Sequence, residues 1–93
     1  MTTTNLHTPL ALGRLSLAHR VVMPPLTRMR ATPQTHAANA LMAQYYGQRA
    51  TPGGFIIGEA SQIAPDGRGL PCTPGIHTAE QIAGWKLVTD AVH

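Results

Sequence analysis

Two short apolar runs that lack polar alternation constrain the fold of this chain more than any other feature. The first is Arg-Val-Val-Met at residues 20–23, and the second is Phe-Ile-Ile at residues 55–57. A strand that is apolar on successive residues is covered on both faces, as in a parallel sheet flanked by helices. Pro24 and Pro25 end the first run, because proline cannot donate a ladder hydrogen bond.

Helical patterns follow both runs. Residues 40–50 place four side chains at helical spacing, namely Leu41, Met42, Tyr45 and Arg49. Thr78 and Gln81 match the capping box that begins many helices. One apolar face follows the box, made of Ile82, Trp85, Val88 and Val92. With a predicted hairpin at residues 9–17, turning at Gly13, the order of elements indicates an α/β fold.

Composition narrows the function classes. The chain has 93 residues, 43% of them hydrophobic and 12% charged, which predicts one small globular domain. The seven basic residues are scattered rather than gathered into a stripe, so we expect no nucleic-acid partner. His36 and His77 have no metal-ligating neighbours at ligand spacing, so we expect no metal site.

Cellular location is predicted from what the sequence lacks. Cys72 is the only cysteine, so the chain cannot form an internal disulfide. The first ten residues do not have the basic start and apolar centre of a signal peptide. No apolar run approaches the roughly 20 residues that span a bilayer. These observations predict a cytoplasmic protein with no membrane partner.

Four motifs in order carry a family resemblance: RVVMPPLTRMRA, ALMAQYYGQRAT, FIIGEASQIAPDG and TPGIHTAEQIAGWKLVTDAVH. From about Leu10 onward the chain resembles the amino-terminal part of the Old Yellow Enzyme family, the FMN-dependent ene-reductases. The resemblance implies a TIM (β/α)8 barrel, which needs roughly 250 residues. Residues 1–93 would then be a partial FMN-binding barrel domain, with the hairpin and about two βα units.

The resemblance also implies which residues contact the cofactor. Pro25, Leu26 and Thr27 would lie along the flavin ring, and the Thr27 hydroxyl would donate to the carbonyl oxygen beside the reactive N5. Ala60 would be the second contact, at the end of the next strand. From the residues alone, another interpretation stays open, because proline pairs often only end strands and a lone threonine is often a turn residue.

Other polar and aromatic residues have structural interpretations. Glu59 has no second acid near it in the sequence, so we expect it to pair with Arg20 or Arg28 rather than act in catalysis. Tyr45, Tyr46 and Trp85 lie at helical spacing, and packing explains them.

Two functions remain open at this stage. By resemblance, the protein is an FMN-dependent NAD(P)H oxidoreductase that transfers hydride from reduced flavin to an activated alkene, its small-molecule substrate. The catalytic residues of the family would lie beyond His93, so none is assigned here. Alternatively, the chain is a truncated, catalytically silent fragment, or a half-barrel that needs self-association or a missing carboxyl-terminal portion. The amphipathic pattern that is still intact at His93 and the open edges of a two-stranded sheet favour this alternative.

Overall fold

The chain begins with an antiparallel hairpin. The computed structural model describes residues 4–93, so the first three residues of the segment considered for a signal peptide lie outside it. Strand β1 (Leu10–Leu12) pairs with β2 (Leu15–Leu17). Gly13 opens the two-residue turn with a φ of 59°, a region that glycine adopts without a steric penalty. The predicted hairpin is confirmed.

A two-stranded parallel sheet and two helices follow. Strand β3 (Val22–Met23) pairs with β4 (Phe55–Ile56), and helix α1 (Ala40–Arg49) lies in the crossover between them. Helix α2 (Ala79–Val92) comes after a loop that contains a 3₁₀ turn at Pro65–Gly67. In the described part of the chain, neither helix is long and apolar enough to cross a membrane.

Strand β3 is shorter than the predicted strand at residues 20–23. The main-chain N–H of Arg20 donates to the carbonyl oxygen of Leu6 at 2.8 Å, so Arg20 is held by the amino-terminal segment instead of by β4. Pro24 follows Met23 directly and has no N–H to continue the ladder. The strand therefore keeps only the two residues between these constraints.

Both helices begin at side-chain caps. In α1 the Asn39 side-chain oxygen accepts from the N–H of Met42 at 3.1 Å. In α2 the Thr78 hydroxyl accepts from the N–H of Gln81 at 3.1 Å, and the Gln81 side-chain oxygen accepts from the N–H of Thr78 at 3.2 Å. The predicted capping box is confirmed, and it satisfies two donors that helix geometry leaves free.

The core lies where the two helices pack against each other. Its buried members are Ala31, Ala38, Met42, Ala43, Tyr46 and Val88. Trp85 packs on Tyr46, with ring centroids 6.2 Å apart, and its indole N–H donates to the carbonyl oxygen of Gly75 at 3.1 Å. The packing role predicted for the aromatic residues is confirmed. Leu41, by contrast, is 59% exposed, because α1 turns Met42 and Tyr46 inward.

The predicted apolar face of α2 is wrong in one member. Ile82 is 57% exposed, whereas Gln81, Gly84 and Val88 are buried. Gly84 has no side chain, so the main chain of Ala38 approaches α2 closely at this point. This close approach fixes which side of the helix faces the core, and it turns Ile82 outward.

One face of the parallel sheet packs on this core and the other does not. Met23 and Ile56 pack against the helical core. Their neighbours Val22 and Ile57, which point the opposite way because strand side chains alternate, are 39% and 44% exposed. A parallel sheet is normally covered on both faces, so this second face has the character of a barrel interior.

Two glycine-to-alanine changes test the helix packing. A Cβ at Gly84 would meet the carbonyl oxygen of Ala38 and lie 2.9 Å from its nitrogen, so we expect Gly84→Ala to lower the free energy of unfolding by about 1–3 kcal/mol. At Gly47 the nearest atom is the Cβ of Ala91 at 3.5 Å, an ordinary contact. We therefore expect Gly47→Ala to stabilise the chain by up to about 1 kcal/mol. Urea unfolding measures both, and equal effects would contradict the packing.

Candidate functional site

The carboxyl ends of β3 and β4 place two loops side by side. Val22 lies opposite Phe55 and Met23 opposite Ile56, and the N–H of Ile57 donates to the carbonyl oxygen of Met23 at 3.0 Å. Thr27 and Ala60 each follow the Met23–Ile56 pair by four residues. Parallel strands end at the same edge of a sheet, and this register brings the two loops that carry Thr27 and Ala60 to that edge.

The loop after β3 combines apolar and polar groups. Pro24, Pro25 and Leu26 are exposed, Leu26 by 43%, and Thr27 is half-buried. Among residues 4–93 the Thr27 hydroxyl has no hydrogen-bond partner, although its main-chain oxygen accepts from Nε of Arg28 at 3.3 Å. The loop therefore displays a small apolar surface beside one available hydroxyl donor.

The loop after β4 is anchored to the core by a buried carboxylate. Tyr46 donates its hydroxyl to Oε2 of Glu59 at 2.7 Å, and the same hydroxyl oxygen accepts from the main-chain N–H of Glu59 at 3.1 Å. Glu59 is 5% exposed, whereas the next residue, Ala60, is exposed. The anchor therefore fixes the main chain directly before Ala60 and leaves the Ala60 methyl group at the surface.

Burial shifts the ionisation of Tyr46. Removal from water raises the pKa of its hydroxyl well above the usual value, and the hydrogen bond to Glu59 raises it further. The phenol therefore stays protonated and keeps donating to the carboxylate. Tyr46 was not predicted as a site residue, since its helical spacing showed only a packing position.

The sequence predicted that Glu59 pairs with Arg20 or Arg28, and the structure shows what each arginine contacts. Arg20 donates from Nε to the carbonyl oxygen of Thr8 at 3.2 Å and from its terminal nitrogen to that of Pro9 at 2.9 Å. The Arg20 side chain therefore binds the amino-terminal segment, and its predicted pairing with Glu59 is wrong. Arg28 lines the same cavity as Glu59, but no ion pair joins the two side chains among residues 4–93, so the predicted pairing with Arg28 is not formed either. Oε1 of Glu59 is buried and has no hydrogen-bond partner among the described residues.

The long loop between β4 and α2 is tied back beside the site. Gln62 forms a parallel bridge with Gly75, and its side-chain amide donates to the carbonyl oxygen of Thr73 at 3.0 Å. Arg68 lies 3.1 Å from Nε2 of His36, which must be the acceptor because a guanidinium only donates. Among residues 4–93, no group of three or more His, Cys, Asp or Glu side chains is placed to hold a metal ion.

The two strand-end loops fit a flat aromatic group that carries carbonyl oxygens. The exposed prolines and Leu26 offer apolar contact, and Ala60 offers a methyl group small enough for close approach. The free hydroxyl of Thr27 can donate to an oxygen at the edge of such a ring. A flavin ring has these properties, so the residues present fit the cofactor that the resemblance implies.

Comparison with known proteins gives one family. Residues 5–93 match the model of the NADH:flavin oxidoreductase / NADH oxidase family. The chain is 53% identical over 89 residues to 12-oxophytodienoate reductase 1 of Oryza sativa subsp. japonica, a match that covers 92% of this chain and 22% of the relative. It is 48% identical over 91 residues to flavin oxidoreductase hxnT of Emericella nidulans, covering 95% and 24%.

Solved structures agree with the sequence relatives. The chain superposes on morphinone reductase in complex with tetrahydroNAD with a TM-score of 0.89 and 53% identity, covering 98% of this chain and 24% of that one. The Old Yellow Enzyme homologue from Zymomonas mobilis gives a TM-score of 0.89 and 42% identity, covering 97% and 25%. The predicted fold class, a portion of a TIM barrel, is confirmed. The chain spans about a quarter of the length of these relatives.

A pair of tyrosine variants tests the anchor. Tyr46→Phe removes one donor and one acceptor, and leaves the Glu59 carboxylate and main-chain N–H buried without partners, so we expect a loss of about 1–3 kcal/mol in the free energy of unfolding. Tyr45→Phe is the matched control, because Tyr45 is only half-buried and its ring contacts to Arg49 and Tyr46 survive the change. Urea unfolding that gives equal losses would contradict the anchor.

The raised pKa of Tyr46 also predicts how stability depends on alkaline pH. Since the folded pKa lies above the unfolded value of about 10, the contribution of Tyr46 is complete below that pH and is lost as pH rises through the folded pKa. We expect the stability difference between the wild type and Tyr46→Phe to be constant below about pH 9 and to shrink above pH 10. A difference that grows above pH 10 would show the opposite sign.

Proposed function

Because the chain belongs to the NADH:flavin oxidoreductase / NADH oxidase family, we propose that its two strand-end loops form part of an FMN site. In this site Pro25, Leu26 and Thr27 lie along the flavin ring, and Ala60 contacts it from the neighbouring loop. The observation that carries the proposal is the parallel register, which brings the loops that contain Thr27 and Ala60 to the same edge of the sheet, with each residue four positions beyond the Met23–Ile56 pair.

Each residue has a defined task in the proposed site. The Thr27 hydroxyl donates to the ring carbonyl beside N5, since it has no competing partner among the described residues. Pro25 and Leu26 cover ring atoms with apolar surface, and proline holds the loop with little backbone freedom to lose. Ala60 lets the main chain approach the ring, and Glu59 keeps that main chain fixed from the core side.

We propose that the whole protein is an FMN-dependent NAD(P)H oxidoreductase of the ene-reductase type. When bound, FMN supplies two-electron transfer from NAD(P)H to an alkene conjugated to a carbonyl or nitro group. This chain contributes orientation of the ring and one hydrogen bond that tunes it, while the groups that hold the substrate are expected in the remaining barrel units. A cytoplasmic location and the absence of a nucleic-acid partner stay predictions.

A second proposal, that this chain alone is catalytically silent, rests on a separate observation. Val22 and Ile57 expose apolar surface on the sheet face that the remaining strands would cover in a barrel. The chain also spans about a quarter of its relatives. A partial barrel of this kind needs further units, from the same polypeptide, a second copy or a partner, to enclose the cofactor.

Two FMN titrations distinguish these proposals. The first uses the purified 93-residue chain and follows flavin fluorescence and absorbance, with circular dichroism as the check on folding. The second uses a chimera in which this chain replaces the matching segment of the rice 12-oxophytodienoate reductase. Binding by both supports a usable site in the chain itself, and binding by the chimera alone supports the silent fragment. A folded chimera that does not bind FMN contradicts the proposed site.

Thr27→Val tests the proposed hydrogen bond from the Thr27 hydroxyl to the flavin ring. It is made in the FMN-binding form, which is whichever of the 93-residue chain and the chimera binds FMN. Loss of one neutral hydrogen bond of about 1 kcal/mol predicts FMN binding weaker by roughly fivefold. Because the bond to the ring carbonyl favours the more negative, reduced ring, we also expect the midpoint potential to fall by about 20 mV. Thr89→Val is the matched control, since Thr89 is exposed on α2 and its hydroxyl donates only to Lys86 within its own helix. An unchanged potential in Thr27→Val would exclude the assigned donor.

A further inference from the structure

A cavity of about 300 Å³ lies behind the two strand-end loops. It is lined by Arg28, Arg30, Leu41, Met42, Tyr45 and Glu59. One wall is the carboxylate of Glu59, which is 5% exposed. Oε2 of that carboxylate accepts from Tyr46, but Oε1 is fully buried and has no partner among the described residues. A buried carboxylate oxygen without a donor is strongly unfavourable, so Oε1 needs a hydrogen-bond donor that the described residues do not bring to it.

Two arginines line the same cavity, and their existing bonds separate their roles. Arg30 turns one terminal nitrogen back to the main-chain oxygens of Arg28, at 3.0 Å, and Met29, at 3.3 Å. Arg28 uses only Nε, in a 3.3 Å bond to the oxygen of Thr27, so both of its terminal nitrogens are free among residues 4–93. Arg28 is therefore the better source of a donor for Glu59.

The backbone between the two arginines supports this division. Met29 has a φ of 58°, in the left-handed region that residues with a side chain adopt rarely. Arg28 precedes this residue and directly follows Thr27, whereas Arg30 comes after it, and the Asn39 amide donates to the main-chain oxygen of Arg30 at 2.8 Å. Arg28 is thereby linked to the proposed flavin loop and Arg30 to the helix cap.

We propose that Arg28 is a positioning residue whose exposed guanidinium, which forms no ion pair in the structure, turns across this cavity to bind Oε1 of Glu59 and so clamps the two strand-end loops together. Arg28 directly follows Thr27, and Glu59 directly precedes Ala60, so one ion pair would fix the spacing between the two proposed flavin contacts. Guanidinium and carboxylate groups match in geometry and form strong, charge-assisted hydrogen bonds. The clamp rests on the proposed function for its role, but its existence does not depend on bound FMN.

The first measurement follows the carboxyl ¹³C signals of glutamate in the 93-residue chain without FMN. The chain has two glutamates, and exposed Glu80 serves as an internal reference while Glu59→Gln assigns the other signal. We expect Arg28→Met to shift the Glu59 signal, Arg28→Lys to restore much of it, and Arg30→Met to leave it in place. An unchanged Glu59 signal in Arg28→Met overturns the proposal, and a shift caused by Arg30→Met alone assigns the donor to Arg30.

The second measurement asks whether the pair positions the flavin contacts. In the FMN-binding form, we expect Arg28→Met to weaken FMN binding about tenfold and to alter the flavin absorbance spectrum. We expect Arg28→Lys to recover most of the affinity. Arg30→Met is the matched control, since it removes the same charge from the same cavity. Equal losses in the two methionine variants would mean that positive charge near FMN, and not the clamp, sets the affinity, which overturns the positioning role.

The two measurements fail in different ways. If the wild-type chain and the chimera bind no FMN, the proposed function fails, while the ¹³C shift still decides whether Arg28 binds Glu59. If FMN binds normally but the Glu59 ¹³C signal is unchanged in Arg28→Met, the proposed function stands and the proposed clamp is wrong. In that case a group from another barrel unit supplies the donor to Oε1.

Discussion

The hydrogen bond between Tyr46 and Glu59 joins the packing of this chain to its candidate site. Tyr46 is a buried member of the helix–helix core, and Glu59 follows the last strand of the sheet. A two-residue strand has little pairing energy of its own, so the loop after it needs another restraint. The buried phenol provides one, since it donates to the carboxylate and accepts from the main chain at the same point. Core packing thereby sets where the loop leaves the sheet.

The helix contact behind that bond depends on small residues. Gly84 lets α2 approach the main chain of Ala38 closely, and this approach keeps Trp85 and Val88 against Tyr46. A larger residue at Gly84 would push α2 away from the main chain of Ala38 and loosen the packing around the Tyr46 ring. The position of the candidate site is therefore sensitive to the contact between Gly84 and Ala38, as expected in closely packed interiors.

Local signals were predicted well and long-range ones were not. The hairpin at Gly13 and the capping box at Thr78 depend on residues a few positions apart, so the sequence alone indicated both. The bond from Tyr46 to Glu59 spans 13 residues and a crossover, and no spacing rule predicts it. The exposed position of Ile82 was also missed, because periodicity gives an apolar stripe but not the side on which a glycine allows close contact. The flavin contacts came from the family resemblance, and their tests are the titrations.

The parallel register limits what this chain can do by itself. The pairing of Met23 with Ile56 fixes where the two loops leave the sheet, and Thr27 and Ala60 each lie four residues beyond that pair. It does not fix how far the two loops spread, since Pro24 and Gly58 end the ladder before either contact residue is reached. The distance between the two loops depends on side-chain contacts from one loop to the other. Glu59 is the buried group that connects the loop after β4 to α1. A donor from the loop after β3 to the free Oε1 of Glu59 would hold the two loops at a fixed separation. One hydrogen bond would therefore satisfy the unpaired oxygen and restrain the loop after β3.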